Sequence, residues 1–187
     1  FIVPIPNSVK HIAGEGITLK DIPNRLETLK LKASFLEIFA VPLTLKVLEL
    51  EDVTTDLIYF STIDYIYLNN VDFTIPTNSM EFRAKQISLE HMNNIVNAKL
   101  RAETIEILNT TNRERDLQYD IECENLELYN VNDINMENIS CHDFKATKSV
   151  ISCLPTNAEI IDISECFVAK YEPTNGIRSF IYTGEFT

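Results

Sequence analysis

Apolar residues recur in a fixed set along this chain: one, a second three positions on, and a third two beyond that, with the set returning about every nineteen residues. Aligned on Leu29-Lys30-Leu31, the copies centre on His11-Ile12-Ala13, Val47-Leu48-Glu49-Leu50, Tyr65-Ile66-Tyr67-Leu68, Gln86-Ile87-Ser88-Leu89 and Thr104-Ile105-Glu106-Ile107. They continue with Asn125-Leu126-Glu127-Leu128, Asp143-Phe144-Lys145-Ala146, Ile160-Ile161-Asp162-Ile163 and Ser179-Phe180-Ile181-Tyr182. The last two apolar positions of each set alternate with a residue that faces the other way, which is a strand's period of two and not a helix's. Stretches punctuated by Pro6, Pro23, Pro42, Pro76, Pro155 and Pro173, or by Asn/Ser/Thr clusters, carry the chain back to the next strand.

One coil of this size cannot bury its own apolar strip, whereas stacked coils bury a continuous one and pair every strand. The pattern therefore predicts a solenoid of about ten coils with a parallel sheet along one face and few regular helices. At ~4.8 Å between strands, that sheet extends on the order of 45 Å. Two longer steps, from Ile66 to Ile87 and from Ile105 to Leu126, are expected to bulge as loops around residues 80–83 and 113–116. A single domain covers residues 1–187. Because the first residue is Phe1 and not Met, the expectation is a fragment of a longer chain.

Composition narrows the functional classes. The 187 residues are 45% hydrophobic and 24% charged, as in an ordinary globular protein, and the formal charge is −12. With no compensating Lys/Arg cluster, that field disfavours nucleic acid and anionic membrane surfaces as partners. No apolar run reaches the roughly 18 residues of a spanning helix, so the chain is expected to be soluble. An intracellular location is slightly favoured over a secreted or surface one. Cys123, Cys141, Cys153 and Cys166 show no CxxC pair and read as buried reduced thiols. Asn109-Thr110-Thr111 and Asn138-Ile139-Ser140 fit the glycosylation sequon and permit a secreted protein without arguing for one.

The strand pattern resembles the L-x-x-L-x-L consensus of leucine-rich repeats across essentially the whole chain. Ile5-Pro6-Asn7-Ser8-Val9, Ile22-Pro23-Asn24-Arg25-Leu26 and Val41-Pro42-Leu43-Thr44-Leu45 look like the (I/L)-P-x-x-L entry of two short-repeat subfamilies: the bacterial secreted-effector type and the FNIP type of amoebae and their giant viruses. Three residues past the last strand leucine, where that family usually carries an Asn that bonds the turning backbone, this chain has Ile17, Ser34, Val53, Val71, Met92, Thr110, Val131, Ser149 and Cys166. The resemblance is thus to a divergent repeat. Left-handed hexapeptide and right-handed carbohydrate-lyase β-helices are the competing solenoids; four glycines in the whole chain and one sharp apolar set per coil weigh against the former.

The residue between the two inward positions faces the concave surface, giving a central column of Ala13, Lys30, Glu49, Tyr67, Ser88, Glu106, Glu127, Lys145, Asp162 and Ile181. Glu106 and Glu127 fall one strand apart, close enough to oppose each other unless Lys145 or a basic partner compensates. Tyr65 beside Tyr67, with Asn69 and Tyr129 further along, adds stiff amphipathic contact area. Glu49, Tyr65, Tyr67, Asn69, Glu106, Glu127 and Tyr129 are the expected binding residues, and the partner is a protein with a basic segment. Cys141-His142-Asp143 is reminiscent of the C-x-D motif of bacterial effector ubiquitin ligases, but Cys141 occupies an inward position above Cys123. His11, His91 and His142 have no metal-ligand spacing. No nucleophile elbow, phosphate loop or HExxH occurs, so neither enzyme activity nor a cofactor or metal is expected. A polymer-processing or carbohydrate-binding β-helix and a purely architectural segment are the alternatives to an interaction module; oligomeric state is open.

Overall fold

A computed structural model of the protein describes residues 5–57, 62–74, 80–92, 98–111, 117–135, 138–155, 157–170 and 176–183. In chain order the first strands are β1 (His11–Glu15), β2 (Thr18–Leu19), β3 (Thr28–Lys32), β4 (Phe35–Leu36), β5 (Val47–Glu51), β6 (Thr54–Thr55), β7 (Ile63–Asn69), β8 (Asp72–Phe73) and β9 (Glu81–Glu90). There follow β10 (Lys99–Leu108), β11 (Leu117–Gln118), β12 (Asp120–Tyr129), β13 (Asn132–Asn135), β14 (Ile139–Thr147), β15 (Val150–Cys153), β16 (Ile160–Ser164), β17 (Phe167–Lys170) and β18 (Ser179–Thr183).

The chain is a β-solenoid. Ten strands form one parallel sheet in the order β1-β3-β5-β7-β9-β10-β12-β14-β16-β18, one strand for each copy of the apolar set. Opposite it lie two four-stranded parallel sheets, β2-β4-β6-β8 and β11-β13-β15-β17, so eight coils carry a described strand on both faces. Between the faces runs one core. The fourth and sixth positions of the copies, Leu29 and Leu31, Leu48 and Leu50, Ile66 and Leu68, and so on to Ile161 and Ile163, are buried from the long sheet. Leu19, Leu36, Thr55 and Phe73 meet them from the first back sheet, and Ile134 and Ile151 from the second. Stacking like on like is what one inward column per position requires.

Residues 80–83 differ from expectation. Instead of bulging, residues 81–83 extend β9, because Met80-x-Phe82-x-Ala84 continues the inward alternation. Phe82 is fully buried, meets Phe73 edge-to-face at 6.2 Å, and begins a further inward column with Leu100, Ile121 and Ile139. Burying two large apolar side chains outweighs the looser loop. The other expected bulge, at residues 113–116, lies outside the described residues.

Each of the first nine coils leaves the long sheet through a single left-handed residue. These are Gly16, at φ 65°, and eight non-glycines, Ala33, Asp52, Asn70, His91, Asn109, Asn130, Lys148 and Glu165, at φ between 45° and 53°. Their N–H groups donate to the carbonyl ending the next coil's long strand, from Gly16 to Lys32 (3.0 Å) through to Glu165 to Thr183 (2.8 Å). The following residue turns inward, and here lies the counterpart of the absent Asn ladder. Ser34, Thr110, Ser149 and Cys166 point a hydroxyl or thiol back along the stack, accepting from the backbone N–H of Ile17, Met92, Val131 and Ser149 respectively at 3.0–3.3 Å. Each also donates to a carbonyl two residues earlier in its own coil. At these four places the corner's backbone N–H is thereby satisfied without asparagine.

Candidate interaction face

Parallel register stacks the outward residues of the long strands into columns running along the solenoid. The central one is the expected series from Ala13 to Ile181, confirmed pair by pair. All seven expected binding residues lie on this outer face: Glu49 on β5; Tyr65, Tyr67 and Asn69 on β7; Glu106 on β10; Glu127 and Tyr129 on β12. They do not form one cluster, since β9, with Gln86, Ser88 and Glu90 outward, separates the tyrosines of β7 from the carboxylates of β10 and β12. Asn69 and Tyr129 share one column, with Glu90 and Leu108 between them.

Most charges on this face already have a partner one coil away. Lys30 Nζ holds Glu49 at 2.8 Å, Lys32 holds Glu51 at 2.7 Å, and Lys145 holds Glu127 at 2.8 Å. Lys145 therefore compensates Glu127 as its position suggested. Glu106, paired in register with Glu127, has no ion pair or hydrogen bond among the described residues. Around β7 and β9 runs a polar network: Tyr67 Oη donates to Glu90 Oε2 (2.9 Å), Asn69 Nδ2 donates to Tyr67 Oη (3.1 Å), and Asn109 Nδ2 donates to Glu90 Oε1 (3.1 Å). Burial, reinforced by the Glu90 bond, pushes the Tyr67 phenol up to about 12. Tyr65 is raised as well, by burial first and then by the charges of Glu49 and Glu106.

A second charged column escaped the reading of the chain, although its signal was present. The residue just after the first apolar position of each copy runs Lys10, Glu27, Lys46, Asp64, Lys85, Glu103, Glu124, His142, Glu159 and Arg178. Signs alternate along it, and Lys10–Glu27 (2.6 Å), Lys46–Glu27 (3.5 Å), Lys85–Asp64 (2.7 Å) and Arg178–Glu159 (3.0 Å) are closed pairs. The Lys10 hydrogen bond holds Glu27 below its usual range, and that of Lys85 does the same for Asp64. Like charges follow each other only at Glu103 and Glu124, on the two strands that also carry Glu106 and Glu127. An open groove of about 580 Å³ lies there, lined by Arg83, Arg101, Glu103, Glu122, Cys123 and Glu124 among others.

Neither a nucleophile nor a metal centre is assembled among the described residues. Cys141 is buried in register with Cys123, both thiols are free, and burial pushes each up to about 12. His142 points to the opposite side, where it contacts Asp143 and lies 3.4 Å from Glu159. No group of three His, Cys, Asp or Glu residues is placed to hold a metal ion, and no helix is long and apolar enough to cross a membrane. Asn109 of the first sequon is tied to Glu90 and followed by the fully buried Thr110, whereas Asn138 of the second is exposed in a turn.

Fold and face together define a parallel β-solenoid with a charge-paired outer sheet. Comparison with family models, with curated proteins and with solved structures finds no match for the chain.

Proposed function

We propose that the chain is a non-catalytic interaction module whose long-sheet face receives a basic segment of a partner protein. The observation that carries this reading is the seam between β10 and β12. Glu106 is left without an ion pair among the described residues, and at this seam Glu103 and Glu106 are stacked against the like-charged Glu124 and Glu127, of which only Glu127 has a lysine partner. A cationic side chain laid there relieves repulsion that the fold itself leaves standing. Exposed Tyr129 and half-buried Tyr65 add amphipathic area on either side. The L-x-x-L-x-L pattern, with a Ser/Thr/Cys ladder in place of Asn, supports kinship with leucine-rich repeats, and the four free thiols support an intracellular setting.

Charge reversal of Glu106 and Glu127 to Lys is the direct test. The double variant is expected to lose partner capture, and the salt dependence of capture with it, while the circular dichroism spectrum stays that of the wild type. Undiminished capture by the double variant would remove the site. A second reading, an architectural segment stacked end to end, is favoured by the exposed Ile181 on the edge strand β18; self-association that survives the double substitution would shift the function to the solenoid ends.

A further inference from the structure

The basic segment proposed above needs an anchoring point, and the face offers one at Ser88. Ser88 stands in the central column with Tyr67 and Glu106 as its register neighbours on β7 and β10. It points outward, because Ile87 and Leu89 on either side are fully buried inward, yet only 4% of it is exposed. The longer side chains around it are what cover it. Its hydroxyl has no hydrogen bond to any described residue and is not among the fully buried oxygens, so a donor and acceptor remain open to an incoming group. Neighbouring Glu106 is equally unengaged, and Tyr65 stands outward on β7, two residues from the Tyr67 that pairs with Ser88, where its phenol feels the charge of Glu106. Tyr67 is not available, since its hydroxyl is committed to Glu90 and Asn69.

We propose that Ser88, Glu106 and Tyr65 form a socket for one primary ammonium group, supplied by a lysine side chain of the partner segment. The inference rests on the basic-segment reading and names the chemistry of its anchor. An ammonium carries three N–H donors, and the socket supplies three oxygens: a hydroxyl at the floor, a carboxylate and a phenol at the rim. A compact charge on a thin stem reaches a serine so largely covered by its neighbours. A planar guanidinium, which seeks a carboxylate edge-on with two parallel bonds, does not. The adjoining tyrosine rings add cation–π attraction.

The test uses oligolysine and oligoarginine of equal length, titrated calorimetrically into the wild-type chain and into Ser88→Ala. Because Ser88 makes no bond that the fold depends on, the alanine variant is expected to fold normally, with a melting temperature at or above that of the wild type. The socket predicts tighter binding of oligolysine than of oligoarginine. It also predicts a loss of about fivefold for oligolysine in Ser88→Ala, with oligoarginine unaffected. Equal binding of the two peptides, unchanged by the substitution, overturns the socket and leaves the basic-segment reading intact. Binding of neither peptide removes both.

Discussion

Tyr119 carries the one buried side-chain oxygen or nitrogen among the described residues with no hydrogen-bond partner, and the fully buried Ala98 precedes the strand it packs beside. Burial of its ring carries the hydroxyl into the core with it. Tyr119→Phe keeps the ring and deletes the stranded group, so it should stabilise the fold by about 1 kcal/mol, read as a higher denaturant midpoint at unchanged slope. The left-handed corners follow similar logic. Asn and Asp tolerate that backbone region, but Ala33, Lys148 and Glu165 hold it at a cost of roughly 1 kcal/mol each. Ala33→Gly and Lys148→Gly should therefore raise the melting temperature, against the usual effect of added glycine, and Gly16→Ala should lower it.

At the scale of a coil, the corner ladder adds to the sheet hydrogen bonds that join successive coils. Ser149 alone ties two: its Oγ accepts from Val131 N–H at 3.0 Å and donates to Thr147 C=O at 2.9 Å. Ser149→Ala strands a buried N–H and is expected to cost about 1–3 kcal/mol by chemical denaturation, whereas Ser149→Cys should retain part of it, as Cys166 does one coil later. The first coil ends the stack differently. A Cβ on Gly14 would lie 2.5 Å from Ile17 Cδ1, so Ile17 occupies the space the glycine leaves. Gly14→Ala should destabilise the chain, and the Gly14→Ala/Ile17→Ala pair should recover part of the loss, a non-additivity that a double-mutant cycle measures.

Over the whole molecule, surface ion pairs and buried phenols and thiols together shape how stability depends on pH. Glu27 and Asp64 are held below their ordinary values of 4.5 and 3.8, so their contribution is present above those values and is lost as pH falls through the lowered ones. Lys32, Lys85 and Lys145 are raised above 10.5, and Tyr67 from 10.0 to about 12; these contributions are complete below pH 10 and are lost as pH rises through the raised values. Denaturation across a pH series should thus show a broad plateau with two falling limbs. Asp64→Asn is expected to shallow the acid limb, and Tyr67→Phe the alkaline one. Because these pairs lie at the surface, added salt should soften both limbs without moving the plateau far.

The solenoid, the number of strands in its long sheet, the inward columns and the order of outward residues were all legible in the chain. They follow from two local periods, two residues along a strand and about nineteen between copies, which reach the eye before any folding. Glu49, Tyr65, Tyr67, Asn69, Glu106, Glu127 and Tyr129 could be placed on one face for the same reason. Other features exist only once coils are stacked. The corner bonds join residues sixteen to twenty positions apart, and the left-handed positions are held by Ala, His, Lys and Glu as well as by Asn and Asp, so residue type alone does not announce them. Phe82 became strand because a neighbouring Leu100 and Phe73 were there to receive it. Whether a carboxylate is neutral company or an open site depends on the reach of a lysine one coil away, which separates Glu127 from Glu106 although their local sequences are alike. The covering of Ser88 by its neighbours is of the same kind: alternation assigns it to the outside, and only packing across three strands leaves so little of it exposed.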